Sequence, residues 1–131
     1  MDFTPAFTSE LRLATLELHK ALLDAQRIRY EREHGRIRTS SEFLGLVLEH
    51  PAFAWLRSLS ALIAQLDEWI EERAERGDEA LGALIEALRG LLATDGTNAA
   101  FSRPYRDLVD AVPEVLVEHV KLWRLLDSTR A

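Results

Sequence analysis

The sequence predicts an all-α fold: one domain over residues 1–131, built as an up-and-down bundle of four long helices plus one short inserted helix. Three observations carry this. Apolar residues recur at spacings of three and four along most of the chain, runs of alternating or β-branched residues are absent, and proline, glycine and capping residues punctuate the pattern at helix-length intervals.

The first helix is expected from about Thr8 to His34, with Thr8 or Ser9 capping its free N–H groups and Gly35 closing it in a left-handed conformation. Thr39-Ser40-Ser41-Glu42 is a capping box, in which a hydroxyl and a carboxylate each satisfy a backbone donor, and it opens the short helix that ends near Glu49. His50-Pro51 breaks that helix and starts the next, because proline suits a first turn and pushes the preceding residue out of the helical region. That third helix is expected to reach Arg76 on the stripe Ala52, Trp55, Leu56, Leu59, Leu62, Ile63, Leu66, Trp69 and Ile70.

Gly77-Asp78 closes one helix and caps the next, whose single face carries Leu81, Leu84, Ile85, Leu88, Leu91 and Leu92. Thr94 to Asn98 is a turn-rich connector. The helical stretch after it bears Phe101, Tyr105, Leu108, Val109 and Val112, and tolerates Pro104 only in a first turn. Pro113 restarts the helix, which runs to about Asp127 with Leu116, His119, Val120, Trp123 and Leu126 on one side.

At 131 residues, a chain buries roughly two thirds of its unfolded surface on folding, which supports a core without staples. The chain has no cysteine, which excludes disulfides, thiolate metal sites and cysteine nucleophiles. No segment matches a secretory signal or a bilayer span, so a soluble, cytoplasmic protein with no membrane partner is expected. A net charge of -6 argues against a broad nucleic-acid footprint. The arginines between Arg27 and Arg38 favour the negative end of the first helix instead.

The first helix is the unusual one. Phe7, Leu11, Ala14, Leu18, Ala21, Leu22, Ala25 and Ile28 form one apolar face, whereas Leu13, Leu16, Leu23 and Tyr30 form a second on nearly the opposite side. Glu10, Glu17, Asp24 and Glu31 run between them as an acidic strip facing water, and Thr15, His19 and Gln26 occupy the other flank. The second face is either covered within the chain or used as a subunit contact, and a homodimer is expected from the second case.

Motifs for chemistry are few. Glu31-x-x-His34 has the spacing of a carboxylate-bridged di-iron ligand pair, but such sites need a second copy and further inward glutamates. His50 at a helix junction is expected to satisfy loose backbone carbonyls. His119 lies within an apolar face, and if it meets His19 across the bundle, with Thr15, Gln26 and Tyr105 nearby, the group lines a polar pocket. Glycine-rich phosphate loops, serine elbows and His-Glu-x-x-His are missing, so no catalytic residue, cofactor or metal ligand set is assigned.

The segment from His50-Pro51 to Asp67 resembles a stretch found in short bacterial all-helical proteins of uncharacterised activity, and the helix entry Val112-Pro113-Glu114 is similar to theirs. The resemblance implies a helical fold and no activity. Two functions are expected in order: a non-enzymatic helical interaction or dimerisation module using Leu13, Leu16, Leu23 and Tyr30, and, as an alternative, a small-ligand or metal-binding sensor bundle with a pocket between the first and last helices.

Overall fold

The computed structural model describes residues 3–73, 75–93 and 98–129. All described secondary structure is helical: α1 (Pro5–His34), α2 (Ser40–Glu49), α3 (Pro51–Ala54), α4 (Arg57–Glu71), α5 (Asp78–Leu92), α6 (Ala99–Ala111) and α7 (Pro113–Asp127). The residues expected to form the connector after α5 lie outside the described set from Thr94 to Thr97.

Several boundaries differ from the sequence expectation for local reasons. Thr4 caps α1, its side chain accepting the Phe7 N–H at 3.1 Å, so that Pro5 occupies the first turn where its missing N–H costs nothing. Thr8, the expected cap, is buried one turn inside and donates to the Pro5 carbonyl. Gly35 takes φ 92 as glycine permits, although ψ 173 leads the chain out extended rather than left-handed helical.

The long third helix is divided. At Trp55 and Leu56 the dihedrals remain in the helical region, but the turn tightens so that the Leu56 N–H bonds the Phe53 carbonyl three residues back. This places Phe53, Leu56 and Leu59 in the core together. Helix α4 then stops at Glu71, five residues before the expected end. The Trp69 indole N–H bonds the Gly77 carbonyl at 3.2 Å and holds the turn into α5. Asp78 caps nothing in α5; its carboxylate accepts the Phe3 N–H, tying the start of the chain to that helix.

Pro104 falls in the second turn of α6, not the first. The i−4 carbonyl it fails to bond belongs to Ala100, which is exposed and open to water.

Helix α1 is the axle of the fold, meeting α3, α4, α6 and α7. Leu13 and Ala14 lie across a groove from Leu125 and Ser128, and Ala25 and Ile28 across from Val112 and Glu114, so α1 and α7 run antiparallel. The bonds Arg12–Asp67, His19–Ser60 and Gln26–Ala52 show α1 antiparallel to the α3–α4 segment. Leu11, Leu18, Leu22, Leu59, Leu66, Trp69, Leu81, Leu108, Val115 and Leu122 fill the space between, each leucine contributing about 1.5–3 kcal/mol.

Candidate functional site

The second apolar face of α1 is met mainly inside the chain. Leu16, Leu23 and Tyr30 pack against the core, leaving Leu13 at 56% exposure. Tyr30 sits in an aromatic group, with ring centroids 4.5 Å from His34, 5.1 Å from His50 and 5.9 Å from Phe53. Within that group the role of His50 is reversed from expectation. Its Nδ1 accepts the Ala52 N–H at 3.0 Å, so the ring caps α3 as an acceptor rather than serving carbonyls as a donor.

Glu31 closes the loop after α1, accepting the Ile37 N–H at 2.8 Å and pairing with Arg27 at 3.7 Å. Its carboxylate is thereby engaged in structure, and His34 packs on Tyr30. Among the described residues no group of three or more histidine or carboxylate side chains is gathered as a metal ligand set.

Of the five residues expected to line one polar pocket, the structure brings two together. Tyr105, on α6, and His119, on α7, are joined at 2.5 Å between Oη and Nδ1. Burial pushes the Tyr105 phenol well above its ordinary range and lowers the His119 imidazole, so both are neutral near pH 7. The phenol is the more acidic donor, which assigns the shared hydrogen to the oxygen and the ring proton to Nε2. Phe101 stacks on Tyr105 and Trp123 on His119, continuing a row of rings that starts at Trp55.

The other three face elsewhere. His19 bonds Ser60 Oγ on α4 at 2.9 Å, and burial lowers its pKa as well. Since Ser60 donates to the Leu56 carbonyl, His19 acts as the donor. Gln26 donates to the Ala52 carbonyl at 2.9 Å, and Thr15 to the Leu11 carbonyl at 2.6 Å. These three fasten α1 to itself and to the α3–α4 segment. The polar pocket between first and last helices is replaced by a cavity of about 110 Å³ beside Tyr105 and His119, bounded by the end of α5, α6 and α7.

A further feature lies on the outer side of α7. Helix α7 buries Val115, Leu122 and Leu126, which leaves Leu116 at 46%, Val117 at 49% and Val120 at 36% exposure. With exposed Pro113 these occupy positions i, i+3, i+4 and i+7, a continuous stripe on the outside of the helix. Leu116 and Val120 are thus removed from the face on which they were expected.

The chain matches no protein-family model, no curated protein and no solved structure. No described helix is long and apolar enough to cross a membrane.

The signal for the outer stripe was present in the composition of α7. Val115, Leu116, Val117, Val120, Leu122, Trp123, Leu125 and Leu126 exceed what one buried face holds, so the helix has two apolar sides and the sequence pattern does not rank them. The buried side is the one that meets α1, where Ala14 lies across a groove from Leu125, and Ala21 and Ala25 across from Val112, Glu114 and Glu118.

Proposed function

We propose that the protein is a non-enzymatic helical interaction module that forms a homodimer through the outer face of α7. The carrying observation is the stripe Pro113, Leu116, Val117 and Val120, apolar and solvent-facing on a helix whose other side is already packed. A continuous apolar row at helical spacing is the pattern by which one helix docks on another.

Charge selects a second copy as the occupant. Glu114 flanks the start of the stripe, whereas Lys121 and Arg124 flank its end. Two copies of α7 related by a two-fold axis run antiparallel, and each Glu114 then meets the basic end of its partner. Leu13 is set across the α1–α7 groove from Arg124 and Leu125, extending the apolar surface at its rim. The interface therefore keeps Leu13 from the face read in the sequence and draws its centre from α7.

The same proposal takes the bundle as up-and-down, supported by the antiparallel courses of α1 with α7 and with the α3–α4 segment. It also takes the module as cytoplasmic, with which the cysteine-free composition is consistent.

Sedimentation equilibrium over a range from about one to one hundred micromolar tests the association. The wild type is expected to fit a monomer–dimer equilibrium, and Val117→Asp to weaken it at least a hundredfold with an unchanged helical circular-dichroism spectrum. A monomer throughout that range, or a dimer indifferent to Val117→Asp, refutes the proposal.

A further inference from the structure

We propose that the cavity between the end of α5, α6 and α7 binds a small uncharged molecule bearing a hydroxyl or a primary amide, held between Ser102 and the Tyr105–His119 pair. The inference is independent of dimerisation.

Ser102 precedes Tyr105 by one helical turn, so both line the cavity from the same side of α6. The Ser102 Oγ is fully buried and has no hydrogen-bond partner in the chain. An unpaired buried hydroxyl costs free energy until something in the cavity satisfies it. With the Tyr105 O–H donating to His119 Nδ1 as assigned above, the phenol oxygen offers only an acceptor, while Ser102 both donates and accepts. The complementary ligand group therefore carries a donor and an acceptor within one small neutral group, as a hydroxyl or a primary amide does.

Leu92, Ala93 and Val109 form the apolar wall. Arg106 and Asp110, one turn apart and opposite in charge, also line the site, so it has no net sign that favours an anion or a cation. The cavity measures about 110 Å³. A cavity of about 150 Å³ holds benzene, so the space suits about four or five non-hydrogen atoms. Acetamide and 1-propanol fall in that range.

Amide-shift titration of the ¹⁵N-labelled chain tests this, with acetamide, 1-propanol and the isosteric anion acetate as probes. Acetamide and 1-propanol are expected to give saturable shifts concentrated at Leu92, Ala93, Ser102 to Asp110 and His119. Acetate is expected to bind at least tenfold more weakly, and Ser102→Ala to weaken acetamide about tenfold while leaving the remaining spectrum in place. Acetate binding as tightly as acetamide, equal binding by Ser102→Ala, or unsaturable shifts spread over the surface would each overturn the proposal. The last of these means that water alone fills the cavity.

Discussion

His50 joins two helices through one ring nitrogen. Its Nδ1 holds the Ala52 N–H while its ring packs against Tyr30 and His34. Replacing it with alanine is expected to cost about 1 kcal/mol, the usual value of a lost N-cap, with asparagine recovering most of that in chemical denaturation. At Gly35 a Cβ meets nothing within 4 Å, so Gly35→Ala measures the positive φ alone. A loss of about 1 kcal/mol is expected there. His19 and His119 set a pH dependence. Burial lowers both below the ordinary 6.5, so the unfolded chain binds protons that the folded chain does not. Their contribution to stability is complete above about 6.5 and is lost as pH falls below it toward the lowered folded values. The urea midpoint should therefore fall between about pH 7.5 and pH 5.5, and the double variant His19→Gln/His119→Gln should flatten that fall. The partner of His19 is not written near it in the sequence: Ser60 lies 41 positions away, and only the packing of α1 on α4 brings them together.

At the scale of elements, α5 and α7 are locked by a side chain that its sequence neighbourhood conceals. Arg89 is 4% exposed, bonds Glu86 and the Leu126 carbonyl, and reaches Thr129 Oγ1 at 2.9 Å. It supplies donors to the open carbonyl end of α7, where a cation is favoured by the helix dipole. Arg89→Met is expected to destabilise the fold by about 1–3 kcal/mol in urea denaturation, whereas Arg103→Ala, on the exposed side of α6, should fall within about 0.5 kcal/mol of the parent. Period and punctuation made the helices legible, since Thr39, His50-Pro51, Gly77 and Pro113 stand at or beside observed boundaries. The break at Trp55 was not legible, because its residues keep helical dihedrals and only the hydrogen-bond step shortens. Tyr105 and His119 were both visible as polar groups on apolar faces. Their partnership was misassigned because His19 fits the same description and is consumed by Ser60.

Across the whole molecule, association depends on which apolar surface is left after the chain has covered its own. The fold covers most of both apolar faces of α1 but leaves Ile28 at 51% and Leu13 at 56% exposure. Exposed apolar side chains remain at Ile28 on α1, at Leu44 and Leu48 on α2, and at Leu116, Val117 and Val120 on α7, where they form a row with Glu114 near one end and Lys121 and Arg124 near the other. The chain contains no cysteine, so a single spin label introduced by Lys121→Cys reports from the rim of that stripe alone. Pulsed electron–electron double resonance between two such labels is the most direct measurement. Antiparallel packing of two α7 helices at about 8–10 Å between axes predicts one narrow, short label-to-label distance, abolished when Val117→Asp is added. The absence of dipolar modulation at one hundred micromolar, or a distance unaffected by Val117→Asp, would contradict the account.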